Sequence, residues 1–225
     1  QIERGLSVGF VASKGEKNRD KLPEIRKKVD LADEEARKIY TSSNGDSSVF
    51  NNLSELAQKR GEVDSLSLSG PDTGAYFTKT IVSLVDASTT IPSKMDDKDS
   101  RNIIQTYTHL SSVKEQLGQM RANLNGAFTK DAFLGNTYFA FSGSLGAYNI
   151  NLRKFLNLAY PDLKKFHEAT YKGEVVEKTM AMIEIAKTKG QDGNFGVDAS
   201  VWFTNVTASI ELLRNVELEL YKEIK

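Results

Sequence analysis

From Ile103 to Phe128 the chain reads IIQTYTHLSSVKEQLGQMRANLNGAF, and steps of three and four residues pick out Tyr107, Leu110, Lys114, Leu117, Arg121, Leu124 and Phe128. That spacing is the seam of a long amphipathic helix, which is stable only when other helices pack along it. Asp99 or Ser100 is placed to open the helix, and Gly126 to Asp131 to break it. About 30 residues at 1.5 Å each would make it about 45 Å long. Two seam positions hold cations, Lys114 and Arg121. A cation there must lie along the interior, carry its head to the edge, or meet an anion.

A second seam runs near the C-terminus through Trp202, Val206, Ser209 and Ile210, Leu213, Val216 and Glu217, and Leu220, with Asp198 suited to cap it. Helical patterning also fills most of the chain between and before these two. Residues 1–14 are apolar nearly all round, with Gly15 placed for a left-handed stop. Residues 18–42 carry Leu22, Ile25, Val29, Ala32, Ala36 and Ile39 as a stripe, with Pro23 in the first turn and the turn SSNGDSS at the end. A third helix is predicted from Ser47 or Ser48 through Phe50, Leu53 and Leu56, then a loop, SLSLSGPDTG, then a fourth over Tyr76–Ser88. After the loop TTIPSKMDDKDS and the long helix comes another long helix through DAFLGNTYFAFSGSLGAYNINLRKFLNLA, with a strand reading left open for Tyr138–Phe141. Pro161 opens a short helix, and VVEKTMAMIEIAKTKG forms one that stops at Gly190. With 4 prolines in 225 residues, long uninterrupted helices are favoured, and the fold class is all-α. The eight or nine segments could divide into two bundles.

Composition narrows function by exclusion. Lys plus Arg and Asp plus Glu each number 30, so no net field draws the chain to nucleic acid. Anion recognition must then come from a local cluster of cations. Cysteine is absent, which removes disulfides, thiolate metal sites and thiol nucleophiles together. No apolar run approaches the roughly 18 residues needed to span a bilayer, and no signal-peptide pattern is present. The chain starts and stops within helical patterning, so we expect a segment of a larger protein whose end helices continue beyond it.

No catalytic or metal constellation emerges. His109 and His167 are too few and too separated for a zinc site. GQDGNFG lacks dinucleotide or P-loop spacing and reads as a turn before a helix. FSGSLG lacks the frame of a nucleophile elbow, and Asp96, Asp97 and Asp99 lack calcium-loop spacing. No cofactor is implied.

The arginines remain. Arg121 on a seam, and Arg4 in a helix with almost no polar face, each have a plain reading in which the stem packs and the head finds a carboxylate or solvent. Together they allow another. Guanidinium is permanently charged and presents a planar fork of donors, so two of them can hold a small planar oxyanion by charge-assisted hydrogen bonds. Anion binding would then favour one helix arrangement, as a sensor requires.

At these residues the chain resembles a known family. QIERGLSVGFVASKG is similar to the opening E-R-G-x-S motif of the NIT domain, the nitrate- and nitrite-sensing domain of bacterial receptors. The resemblance continues through L-P-x-x-R-x-x-V-D at Leu22–Asp30, through Arg60–Asp64 and the Tyr76 helix, through KEQLGQMRANLNGAF, and through W-F-x-x-x-T-x-x-I-x-x-L-x-x-V-E at Trp202–Glu217. It covers nearly the whole chain, so residues 1–225 are expected to be a single NIT-like sensor domain. It implies an all-α fold of long antiparallel helices arranged as two side-by-side bundles, with paired arginines holding the anion. Those arginines map to Arg4 and Arg121. One departure is Met120, which stands where the family's K-E-x-x-G-x-E-R-A segment has Glu.

The reading is a non-enzymatic, extracytoplasmic (periplasmic) sensor domain of a membrane chemoreceptor or histidine kinase. It would bind nitrate or nitrite through Arg4 and Arg121, with Ser7 and Lys114 as weaker candidates, and signal by helix displacement. By analogy with receptor sensor domains it would be a homodimer, in contact with the membrane only through helices outside this segment. Two alternatives stay open. One is a helical bundle that dimerises or binds a partner protein without a small ligand; the other is a sensor of an organic ligand in a pocket lined by residues such as Tyr138 and Phe141.

Overall fold

The computed structural model describes residues 1–42, 47–91, 93 and 96–224. Among these residues the chain forms nine α-helices and no strand, as an all-α sequence should. It divides into two compact units, residues 1–87 and 88–225.

The first unit contains α1 (Ile2–Ala12), α2 (Lys21–Ser42), α3 (Leu56–Asp64) and most of α4 (Gly70–Thr90). α1 ends in a Schellman-type turn: Gly15 N–H bonds Phe10 C=O at 2.8 Å, with Lys14 and Gly15 both at positive φ. Phe10, Leu22 and Val63 form its small core, joined by Leu6, Val11, Ile25 and Leu68. The predicted stripe of α2 is buried only at its Leu22 end, and Ile39 is exposed. Length accounts for this. The 11 residues of α1 span about 16 Å, half of the roughly 33 Å of the 22-residue α2.

Two boundaries differ from expectation. The third helix begins as a 3₁₀ segment, Ser47–Leu53, before α3 proper. Asn51 C=O is drawn into a turn by the Ser54 N–H and hydroxyl, which interrupts the α-helical ladder. α4 starts at Gly70, inside the predicted SLSLSGPDTG loop, because Ser69 caps it. Its Oγ accepts the Asp72 N–H at 3.2 Å and bonds the Asp72 carboxylate at 2.5 Å, and Pro71 sits in the first turn. The SSNGDSS turn falls partly at residues 43–46, outside the described residues.

The second unit is built on α5 (Lys98–Lys130), which is capped by Asp97 accepting the Ser100 N–H at 2.6 Å. α6 (Thr137–Leu158), α7 (Pro161–Thr170), α8 (Glu174–Lys189) and α9 (Ala199–Ile224) complete it. The region left open to a strand, Tyr138–Phe141, is helical. Pairings along α5 show the orientation of its neighbours. Tyr107 meets Tyr221, Ser111 meets Glu217 and Arg121 meets Thr207, so α9 runs antiparallel to α5. His109 with Asn151 and Gln119 with Ser144 make α6 antiparallel as well.

Leu110, Leu117, Leu124 and Phe128 of the predicted seam are buried, and so is a second row, Val113, Met120 and Ala127. Set three residues apart, the two rows make one wide apolar face of α5, which packs against α6 and α9. Phe128, Phe133, Phe141, Phe195 and Trp202 close one end of the unit with ring centroids 5.2–5.7 Å apart. Phe195 reaches this cluster because its loop is tied to the end of α5. The Asp131 carbonyl accepts the Asn194 N–H at 2.9 Å, and its carboxylate accepts the Gly196 N–H at 3.1 Å. A Cβ at Gly193, which has positive φ, would lie 2.7 Å from that carbonyl. The GQDGNFG turn is thus a packing device.

A buried ion pair joins two helices of the unit. Lys114 Nζ donates to Glu217 Oε2 across α5 and α9, and Ser111 Oγ donates to Glu217 Oε1 at 3.0 Å. Both charged side chains are buried. Glu217→Ala leaves the Lys114 ammonium buried without its carboxylate and should cost about 3–5 kcal/mol in denaturant unfolding. The paired replacement Lys114→Met, Glu217→Leu should return stability to the wild-type level or above. If the single and double variants lose the same amount, the pair is not what is being measured.

His167 on α7 is also buried, against the rings of Phe155 and Tyr171, and neither ring nitrogen has a partner among the described residues. Burial lowers its pKa below the ordinary 6.5, with Glu168 opposing weakly. The unfolded chain therefore binds a proton that the folded chain refuses. Stability present above about pH 6.5 is lost as pH falls toward the depressed folded value, by at most about 1.4 kcal/mol per pH unit for one proton. Thermal melts between pH 7.5 and 5.5 should fall more steeply for wild type than for His167→Phe. Parallel curves would contradict this.

Candidate functional site

The buried residues of α1 are Glu3, Arg4, Ser7 and Phe10, a single stripe in which three of four side chains are polar. Buried polar groups require partners, so this face says where α1 is held. Glu3, 3% exposed, is gripped by Arg60 of α3 in a bidentate pair: Nε to Oε1 at 2.7 Å and NH2 to Oε2 at 2.8 Å. The third Arg60 nitrogen, NH1, donates to Asp30 of α2 at 2.6 Å. Arg26 of α2 brings its Nε to 3.7 Å from Glu3 and forms its own bidentate pair with Asp64, at 2.8 and 2.9 Å. Burial works against the charge on Arg60, but the Glu3 and Asp30 carboxylates outweigh it and its pKa is raised. The network ties α1 to α2 and α3 and fixes the rotation of α1 about its axis.

With α1 so oriented, Arg4 is 7% exposed, and its NH1 donates to Thr78 Oγ1 of α4 at 2.9 Å. Ser7, one turn further along the same face, is fully buried. Its hydroxyl finds no hydrogen-bond partner among the described residues. The first unit thus brings together two of the four residues picked from the sequence.

The other two lie in the second unit. Arg121 is half-buried on α5, donates from NH1 to Thr207 Oγ1 at 3.0 Å, and holds its guanidinium carbon 5.1 Å from the centre of the Phe203 ring. Its carbonyl accepts the Trp202 indole N–H at 3.0 Å. Its neighbour Met120 is fully buried in the core. A glutamate there would bring a carboxylate into that core, and Arg121 is instead oriented by the hydroxyl and ring of α9. Lys114 is engaged by Glu217, as described above.

Sequence reading missed Glu3 as the hub of the first unit. The available signal was a lone carboxylate in the first turn of an otherwise apolar helix. Of the aromatics suggested for an organic pocket, Phe141 stacks on Phe133 in the core, and Tyr138 packs against the Phe133 ring edge and Gly190. No cluster of three or more metal-ligating side chains occurs among the described residues. What these side chains offer chemically is a set of N–H and O–H donors around buried guanidinium, which suits oxyanion acceptors.

The solved structure of the NasR transcription antiterminator is similar to that of this chain, with a TM-score of 0.79 at 20% sequence identity. The match covers 99% of this chain and 62% of the NasR chain, so this chain spans less than two thirds of that protein's length. At such identity the likeness is one of fold. No curated protein matches the chain significantly. The family of nitrate and nitrite sensing (NIT) domains matches over residues 1–225, the entire chain. The chain belongs to the NIT family of nitrate- and nitrite-sensing domains.

Proposed function

We propose that residues 1–225 are a single ligand-binding sensor domain, with nitrate or nitrite as its ligand and Arg4 and Arg121 as the cationic side chains that bind it. The observation that carries the reading is a family match across the whole chain, in which a buried arginine occupies the opening E-R-G motif. Nitrate is planar, with three acceptor oxygens and one negative charge. Two guanidinium forks can meet it in its plane, and each charge-assisted hydrogen bond is roughly twice as strong as a neutral one. Lys114 adds little to this reading, because its charge is balanced by Glu217.

We assign the domain to an extracytoplasmic, periplasmic receptor of the chemoreceptor or histidine-kinase type, following the sequence resemblance. No helix among the described residues is long and apolar enough to cross a membrane, so attachment would come from segments outside this one. Binding acts on signalling only insofar as it favours one arrangement of helices. α1 and α9, the first and last elements, are the ones through which displacement would leave the domain.

A second reading, association with another protein or another copy, is favoured by one face of α6. No charged side chain occurs between Asp131 and Arg153, and Phe139 and Ile150 are exposed there. Phe139→Glu should lower the sedimentation coefficient if that face pairs, and leave it unchanged if it does not.

The ligand reading is tested by thermal melting with nitrate, nitrite and chloride. A ligand at about 100 times its dissociation constant adds roughly 2.7 kcal/mol. Nitrate or nitrite should raise the midpoint of the wild type, and Arg4→Ala with Arg121→Ala should abolish the rise. A full rise in the double variant would overturn the site, and no rise with any anion would overturn the function.

A further inference from the structure

We propose that the Ser7 hydroxyl is a hydrogen-bond donor to the same planar oxyanion that Arg4 holds, and so helps to set its affinity. The inference rests on the ligand reading above and adds a neutral donor to the two cationic ones.

Its basis is the contrast between Ser7 and other helical serines and threonines, which either bond their own helix or, like Ser111 and Ser144, donate to another side chain. A serine or threonine within a helix ordinarily turns its hydroxyl back to the carbonyl four residues earlier. In this chain Thr73, Thr80, Thr106, Thr108, Ser112, Thr129 and Thr179 all do so, at 2.7–3.0 Å. Ser7 does not. It is fully buried, sits in the middle of α1, and its Oγ has no partner among the described residues. Burying a hydroxyl without a hydrogen bond works against folding, so such groups are rare and call for an explanation.

The obvious acceptors on α1 do not serve it. Glu3, four residues back, offers a backbone carbonyl and a carboxylate, and Ser7 Oγ bonds neither, while the carboxylate faces Arg60. The neighbour on the same face is Arg4, three residues earlier, at a spacing that puts side chains side by side. Arg4 brings only donors, and one of them goes to Thr78 Oγ1. Ser7, Arg4 and Thr78 therefore gather hydroxyl and guanidinium groups at one place in the first unit. Such donors suit an acceptor with several oxygens and negative charge. A hydroxyl suits a monovalent ion here, since it adds a hydrogen bond without adding a further charge.

The assignment predicts opposite effects on stability and on binding. Ser7→Ala removes the unpartnered hydroxyl, so the ligand-free variant should melt at the wild-type temperature or above it. Its dissociation constant for sodium nitrate, measured by calorimetry at constant ionic strength, should rise about tenfold, equivalent to about 1.4 kcal/mol. Nitrate affinity equal to wild type would overturn the assignment and leave the Arg4–Arg121 reading standing. So would a lower ligand-free melting temperature, which would show that the hydroxyl has a structural partner. Failure of the wild type to bind nitrate or nitrite would overturn both together.

Discussion

A charge taken out of water must find its opposite inside the protein, and each unit of this chain is arranged around that constraint. In the second unit the demand is met across two helices, where Lys114 on α5 pairs with Glu217 on α9. The pair sits on a seam otherwise made of Leu110, Leu117 and Leu124, so it also selects the register at which α9 runs against α5. In the first unit the demand is met by a larger set. Glu3 faces Arg60 and Arg26, and these in turn engage Asp30 and Asp64. Hydrophobic packing there is divided: Phe10, Leu22 and Val63 form one buried cluster, and Phe50, Leu56 and Phe77 are buried outside it. With apolar contacts so divided, α1, α2 and α3 are oriented by the ion pairs between them.

This has a consequence for ligand recognition. A helix held by bidentate arginine–carboxylate pairs is held in rotation as well as in position, because the fork and the carboxylate must stay coplanar. Glu3 and Arg4 are adjacent in sequence, so fixing one fixes the direction of the other. The same arrangement buries Ser7 one turn on. Pre-set donors lose little freedom when an anion arrives, and that is how a small ligand with few atoms can bind usefully.

Much of the fold was legible in the sequence. The 3-4 seams of α5 and α9 appear at the expected residues, Asp198 caps α9 through the Ser200 and Val201 N–H groups, and the glycine after α1 takes positive φ. Periodicity reports which face is covered, and side-chain caps are local, so both survive without tertiary information. What stayed hidden depended on distant partners or competing local bonds. The 3₁₀ turn at Ser47–Leu53 and the early start of α4 at Gly70 come from serine side chains whose choice of partner periodicity does not encode. Lys114 looked like a spare cation because its carboxylate lies 103 residues away on another helix. Arg4 and Arg121 stand out in the sequence as cations on apolar faces, and the family resemblance supplies the reason to join them. Glu3 carried no periodic signal beyond being charged, and Ser7 could be recognised as exceptional only once its neighbours were in place.

The central claim is that a small oxyanion is bound at the buried guanidinium of Arg4. A crystal structure of the chain grown with nitrate tests it most directly. The account predicts a planar anion within hydrogen-bond distance of the Arg4 guanidinium and the Ser7 hydroxyl. Nitrate bound elsewhere, with Arg4 and Ser7 untouched by it, would contradict the account.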